Sequence, residues 1–506
     1  MTAIGDGATF IDVGHPYSYD LDLFGPFSLF QKVNRGHTSI GQARLAEWLQ
    51  NPVDTASILH RQAAAEELAA LTDWQHELRA YGAALKETPG QIARLSQWLQ
   101  QPPVVVGHPW RQLALWAAPV LFVVAVGLWI FVWPWYMAFW LLLPAGLWLR
   151  QALDDVQRLH LQTGQVSDTL RHYADLLRQI EGQPFSSERM KELREQLHTG
   201  GTPASEAIRQ LAYRVSQLDV RYNMFVFLLE FSVVWDLQQA YRLDKWKARY
   251  RESLPQWFEA LAEVEALVSI GNLRLNHPGW SWPQVHDASQ IEAIALGHPL
   301  IAAAKRVSND LVMPTYGHIQ LLTGSNMAGK STWLRTVGTN MVLALAGAPV
   351  CASRLLLPQM QVYTSMRTQD ALHESTSSFY AELKRLKFII EAVEDPTKTA
   401  GRPVFFLLDE ILKGTNSRDR HTGAKALIRQ LMESNGAGII ATHDLELGAM
   451  EAVSDGRIEN WAIEVAIANG QLVFDYRLKR GVSKSFNATH LMREMGIRIS
   501  DDMVAE

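Results

Sequence analysis

Residues 324–331 read Gly324-Ser325-Asn326-Met327-Ala328-Gly329-Lys330-Ser331 and fit the pattern GxxxxGK[ST]. They come after an apolar run, HIQLLTG (318–324), and precede a helix-like segment, TWLRTVGTNMVLALAG. In that setting the glycines let backbone N–H groups turn inward and cradle phosphate oxygens at a helix N-terminus. Lys330 would reach β- and γ-phosphates, and the Ser331 hydroxyl would coordinate Mg2+. Taken alone, the pattern also admits a glycine turn of no chemical meaning. A second run, PVFFLLDE (403–410), ends in two acids. Acids at the C-terminal end of a buried parallel strand sit where such sheets bind ligands. Asp409 would hold Mg2+ through its water shell, and Glu410 would polarise an attacking water; a carboxylate at a helix start is the other reading. A third run, GAGIIATHD (436–444), delivers His443. It would sense a γ-phosphate or orient water; a satisfied structural histidine is the other reading.

These residues need a scaffold. From about Ala293, short runs apolar along their whole length alternate with helical segments, the signature of a parallel sheet covered on both faces. Before that point the chain is helical. HTSIGQARLAEWLQ and DTASILHRQAAAEELAALTDWQHELRAYGAAL show helical apolar spacing, and residues 151–270 continue so, with breaks at Gly182–Pro184 and Gly200–Pro203.

Between the two helical parts lies a run without a charged residue or histidine, from Gln112 to Leu149. As one helix these 38 residues would span about 57 Å, nearly twice the roughly 30 Å hydrocarbon core. Two spanning helices fit better, with Trp133-Pro134-Trp135-Tyr136 as the turn. Arg111 and Arg150 would then flank the hairpin on one cytoplasmic side. The alternative is a buried hairpin in a soluble protein. Residues 224–235, MFVFLLEFSVVW, are too short to span and contain Glu230, so they read as a core helix.

Composition excludes other classes. A chain of 506 residues, 48% hydrophobic with net charge −5, is neither disordered nor a basic nucleic-acid arm. One cysteine, Cys351, precludes an intramolecular disulfide and suits a reducing compartment. The first residues lack the order of a signal peptide.

GSNMAGKSTWLR, STSSFYAEL (375–383), DEILKGTNSRD (409–419) and ATHDLEL (441–447), in this order, resemble the ATPase domain of MutS-type DNA mismatch-repair proteins. Asn326-Met327 inside the loop is the distinguishing detail. LKRGVSKSFNATHLMREMGI (478–497) is similar to the family's C-terminal segment, and residues 23–52 and 257–273 resemble the start and end of its helical core. The resemblance covers about 13–110 and 200–506. It implies ATP bound by Gly324 to Thr332 (Ser325, Asn326, Met327, Ala328, Gly329, Lys330 and Ser331 included), with His298 and Asn309 near the nucleotide. It implies that Asp409 and Glu410 serve Mg2+ and hydrolysis, and that His443 comes after a sensing strand. Ser377 matches the serine that reaches the partner subunit's γ-phosphate, so the resemblance implies a homodimer with composite sites; ordinary loop capping is the other reading. Ser325 and Ala328 replace the usual Pro and Gly. The core-like segment starts near residue 20, which leaves no room for the mismatch-reading domain, and residues 151–220 are acidic overall, unfavourable for duplex binding.

The expectation is a multidomain chain: an all-α core and lever domain with an inserted transmembrane hairpin, then an α/β P-loop NTPase domain of ABC type. Its parts are 1–111 (core), 112–149 (hairpin), 150–290 (core and short lever) and 291–506 (ATPase). The expected function is Mg2+-dependent ATP hydrolysis by a homodimer in the cytoplasmic membrane, ATPase facing the cytoplasm. DNA, mismatched or branched, and a repair role are implied by the resemblance. The alternatives are a mechanical ATPase acting on a protein or membrane client, and a nucleotide-switched binding module.

Overall fold

The computed structural model describes residues 5–483 except 89, 133, 135–139, 141–142, 144–154, 156–157, 160–165, 220–233, 326–327, 368–377 and 469–470. The chain divides into two compact units. One holds residues 1–34, 43–70 and 267–506; the other holds 35–42 and 71–266. The N-terminal stretches 1–34 and 43–70 thus belong with the α/β residues, whereas the sequence alone suggests one helical part up to residue 111.

The first unit is built on two sheets. The larger runs β10 (Gln471–Arg480), β9 (Ile458–Ala468), β4 (Ile319–Thr323), β8 (Ala437–Thr442), β7 (Val404–Asp409), β6 (Gln361–Ser365). All its pairings are parallel except β9–β10 at one edge. β4 and β8 are buried at every residue, which is why they read as unbroken apolar runs. The smaller sheet, β1 (Gln284–Val285), β5 (Arg354–Leu357), β2 (Gln290–Leu296), β3 (Asn309–Pro314), has two antiparallel pairings. The sequence does not announce it: β3 alternates buried and exposed residues, a half-covered face, but its residues, NDLVMP, do not alternate in polarity with it.

The helix Lys330–Ala346 is almost wholly buried behind the larger sheet. Its polar residues are satisfied internally: Asn340 Nδ2 donates to Gly297 O and Thr336 O, and Asn340 Oδ1 accepts from Cys351 N. Gly347, at φ +84°, ends it. Gly338 lets Leu21 and Leu407 close on this helix, since a Cβ there would lie 2.7 Å from Leu21 Cδ2. Asp20, in the same N-terminal stretch, accepts from Thr364 Oγ1, Met366 N and Arg367 N at the end of β6.

The second unit is helical: Thr72–Ala83, Gln91–Gln100, Pro109–Phe131, Ser167–Gly182, Glu188–Gln196, Ala204–Asp219, Trp235–Tyr250 and the first part of Ser253–Asn276. The breaks expected at Gly182–Pro184 and Gly200–Pro203 fall between helices. Arg189 grips Glu263 through two bonds of 2.6 and 2.7 Å. Trp98, Trp246, Tyr250 and Trp257 form a continuous aromatic row.

Pro109–Phe131 is the one described helix long and apolar enough to cross a membrane, and only 22% of its most apolar stretch is buried. Trp116, Val123 and Phe131 are 79, 69 and 83% exposed. Most of the expected second half of the hairpin, with its turn, lies outside the described residues, as does most of 224–235.

Candidate functional site

The site stands on the register of three neighbouring strands of the first unit. Thr323 of β4 is level with Thr442 of β8, and Ala441 of β8 is level with Asp409 of β7. The three strands therefore end together. Their continuations, which carry the phosphate-loop motif, Glu410 and His443, meet at one edge.

The chain leaves β4 at Gly324, φ +149°, where an added Cβ would lie 2.6 Å from Ile463 O. It enters the helix at Gly329, φ +99°, where a Cβ would meet Tyr476 Cδ1 at 2.9 Å. Both positions demand glycine by conformation and by space. Ala328 N donates to Ser325 O at 3.1 Å, and Trp333 N to Gly329 O at 2.9 Å, closing the first turn. Ser331 and Thr332 stand in that turn. Asn326 and Met327 lie outside the described residues.

Lys330 is 3% exposed. Its Nζ donates to Gly324 O at 2.7 Å and Ser325 O at 3.0 Å, across the loop itself. Burial lowers its pKa, and the nearby Glu410 and Asp409 carboxylates oppose that shift. The ammonium thus has both acids within electrostatic reach. Ser331 and Asp409 offer hard oxygen donors, the chemistry Mg2+ favours.

Glu410 is held rather than free. Its backbone N–H donates to Ala441 O at 2.9 Å while its φ is +53°, a left-handed conformation rare outside glycine. Its carboxylate lies 3.5 Å from Lys413 Nζ and 3.7 Å from His443 Nδ1. Leu412, also left-handed at φ +60°, and Lys413 donate their backbone N–H groups to Glu382, from the helix Ser378–Glu394. Burial pushes the Glu382 carboxyl up, and those N–H groups oppose the shift. Phe379 of the same helix packs on Gly414, where a Cβ would lie 2.6 Å away. The motifs at 375–383 and 409–419 are therefore one structural piece. Ser377 lies outside the described residues, immediately before this helix.

After His443, Asp444 accepts from Glu446 N and bonds His421 Nδ1 at 2.7 Å, tying the strand end to the helix Ser417–Glu433.

A cavity of about 370 Å3 adjoins the phosphate-loop helix. His298, Asn309, Gly329, Thr332, Thr336 and Tyr476 line it. Its size suits a nucleobase and sugar. Burial, then Arg335, lowers the His298 pKa to about 4. His298 is neutral at pH 7, and its Nδ1 accepts from Leu300 N at 3.2 Å, which leaves the proton on Nε2. Asn309 Nδ2 donates to Tyr476 O at 3.0 Å and Asn309 Oδ1 accepts from Leu478 N at 3.0 Å. These bonds clamp the bulge between Phe474 and Leu478 that presents Tyr476 to the cavity.

Sequence reasoning missed Tyr476, Glu382 and Lys413. Glu382 and Lys413 lie inside motifs already singled out, but nothing local marks their bonds. Tyr476 carries no sequence signal; a bulge and a distant asparagine bring it to the loop.

Residues 320–497 match the family model described as MutS domain V. Among similar curated proteins is the DNA mismatch repair protein MutS of Aquifex pyrophilus, 31% identical over 229 residues, 44% of this chain and 26% of that protein. The protein of the same name from Thermotoga neapolitana is 28% identical over 256 residues, 50% of this chain and 30% of its own. The one from Oleidesulfovibrio alaskensis is 28% identical over 326 residues, 62% and 31%. The chain spans less than a third of the length of these relatives.

Proposed function

We propose that this chain, a MutS-family protein through the domain at its C-terminal side, is a Mg2+-dependent ATPase. One observation carries the reading: the shared edge of β4, β8 and β7, which gathers Lys330, Asp409, Glu410 and His443 beside a cavity sized for a nucleobase and sugar. Backbone N–H groups of the loop and Lys330 bind phosphate oxygens. Ser331 and Asp409 hold Mg2+, which neutralises charge on the phosphates when bound. Glu410 accepts a proton from the attacking water, and His443, beside it, orients that carboxylate. Tyr476 and His298 receive the base and sugar.

The reading extends to a homodimer with composite sites, Ser377 completing the partner's site. That part rests on the family resemblance, supported by the join between the helix after Ser377 and the Glu410 loop. Membrane attachment is supported by the exposed apolar helix Pro109–Phe131. The ATPase then faces the cytoplasm, in keeping with the single cysteine. The relatives' names speak of DNA mismatch repair, so DNA is the first ligand to test. The acidic balance of residues 151–220 and the apolar helix favour a second reading, a membrane or protein client moved by the ATPase.

ATP turnover of the detergent-solubilised chain, with homoduplex, mismatched and branched DNA at moderate salt, separates them. Stimulation that survives salt supports DNA. An unchanged, healthy basal rate rejects DNA as the activator. Absence of Mg2+-dependent turnover rejects the ATPase reading.

A further inference from the structure

The helical second unit holds a cavity of about 500 Å3 that the ATPase chemistry does not use. It is bounded by the helices Ala204–Asp219 and Trp235–Tyr250 and by the second turn of Pro109–Phe131. Its lining includes Trp116, Arg214, Tyr241, Arg242, Lys245 and Arg249. Four cations thus converge on one concave surface. Among the described residues, no carboxylate forms an ion pair with any of the four. Lys245 lies over the Tyr241 ring at 4.6 Å; Arg249 lies over the Tyr250 ring at 5.2 Å and donates to Thr202 Oγ1 at 3.3 Å. Arg214 Nε is buried and has no hydrogen-bond partner among the described residues. Burial, then the like charge of Arg242, makes the Arg214 guanidinium harder to keep charged. Asp244, on the same helix as Arg242 and Lys245, is engaged elsewhere: it accepts from Val104, Val105 and Val106 N–H. Those bonds fasten the loop that leads into the apolar helix. Glu206 lines an adjoining cavity with Arg214 and Arg242, but it makes no ion pair with either, and four cations that no described carboxylate pairs suit an anion with several oxygen acceptors.

Its position selects the anion. Leu115 and Trp116 are the point where the apolar helix meets the cavity, and the helix runs on from there with Val120, Val123, Val124 and Ile130 exposed. Trp110 and Trp116, 69 and 79% exposed, stand at the same end, as interfacial aromatics do. Basic pockets at the cytoplasmic foot of membrane helices suit anionic headgroups.

We propose that this cavity binds the phosphate headgroup of an anionic phospholipid where the Pro109–Phe131 helix enters the bilayer. The proposal rests on the membrane reading above. Arg214 and Arg242 supply planar donors to the phosphate oxygens, Lys245 and Arg249 add charge at the mouth, and Trp116 lies along the glycerol and upper acyl chains. A bound lipid would fix the depth at which the helical unit sits.

The test uses the full chain purified in detergent and titrated with phosphatidylglycerol or phosphatidylcholine, bound lipid being counted by native mass spectrometry. In parallel, the protein is reconstituted with phosphatidylcholine vesicles and floated. Wild type is expected to float and to retain phosphatidylglycerol over phosphatidylcholine. Arg214→Gln/Arg242→Gln/Lys245→Gln is expected to float equally and keep its basal ATPase rate, which certifies its fold. It should lose the preference by about 100-fold, since each cation near an anionic lipid contributes about fivefold. Arg214→Lys/Arg242→Lys should retain most of it. Absence of a preference in wild type, or its survival in the triple variant, overturns the proposal while leaving the membrane reading standing. Equal displacement of the lipid by inorganic phosphate at matched concentration overturns the lipid assignment. Capture of a short duplex DNA in place of lipid, lost in the triple variant, assigns the cavity to nucleic-acid phosphates and also overturns it. Failure of wild type to float at all rejects the membrane reading itself, and the proposal falls with it.

Discussion

His443 Nδ1 lies 3.7 Å from Glu410 Oε1, at the shared edge of β8 and β7. The two residues come from motifs more than thirty positions apart in sequence and are brought together by strand register alone. If Glu410 takes the proton from water, Glu410→Gln will keep nucleotide affinity and lose turnover by about 100-fold or more, the usual contribution of a positioned base. His443→Ala will cost less, about tenfold, because it acts on Glu410 and not on the water. Single-turnover phosphate release with measured ATP affinity checks both. An unchanged rate in His443→Ala would return that residue to a structural role.

Glu382 is a positioning residue. It holds the backbone N–H groups of Leu412 and Lys413, just past Glu410, and Leu412 keeps a left-handed conformation there. Glu382→Ala leaves two donors without that acceptor, at a cost of about 1–3 kcal/mol. The expected result is a lower Tm and a kcat reduced more than KM is changed. Glu382→Gln, which keeps one acceptor oxygen, should recover part of kcat. A fall in stability with kcat intact would confine Glu382 to folding.

Asn309 and Tyr476 act as one unit, since Asn309 clamps the bulge that carries Tyr476. Tyr476→Ala should weaken ATP binding about tenfold, about 1.4 kcal/mol, the scale of one base–aromatic stack. Tyr476→Phe should bind normally. Asn309→Ala should weaken binding in the same sense, and the double variant should be less than additive. Full additivity in calorimetric titrations would mean that the two residues serve the nucleotide separately.

Much of this site is legible in the sequence. β4, β7 and β8 are buried along nearly their whole length, so their sequences are unbroken apolar runs, and the residues after them carry the chemistry. The half-covered strand β3 cannot be read this way, because its exposed Val312 and Pro314 are as apolar as its buried Leu311 and Met313, so its sequence does not show its burial. Tyr476, Glu382 and Lys413 are not legible as site residues. Each acquires its place through a tertiary bond, from Asn309 or to the Glu410 loop, that no spacing rule encodes. The grouping of residues 1–34 with the α/β unit is hidden for the same reason: Asp20 binds the end of β6, 344 positions away at Thr364.

Glu265, in the helical unit, gives that unit a pH dependence. Complete burial pushes its carboxyl up to about 7, against an ordinary value of 4.5, although Thr38 Oγ1 and the His37 and Thr38 N–H groups donate to it. The folded state therefore binds the proton more tightly than the unfolded chain. The stabilisation is complete below about 4.5 and is lost as pH rises through about 7, a difference of about 3 kcal/mol. Glu265→Gln should flatten the fall in unfolding free energy between those values. Parallel wild-type and variant pH profiles across that window would mean that Glu265 is ionised in the folded state.

If Lys330 and its loop hold nucleotide phosphates for Mg2+-dependent hydrolysis, the ammonium decides ATP binding. The measurement is ATP binding to the purified full chain, with and without Mg2+, for wild type and Lys330→Met, which keeps the apolar stem and removes the ammonium. Wild type should bind ATP in a Mg2+-dependent way, and the variant should lose at least about 100-fold, about 2.7 kcal/mol. Equal affinity in the two proteins would rule out a phosphate-binding role for Lys330.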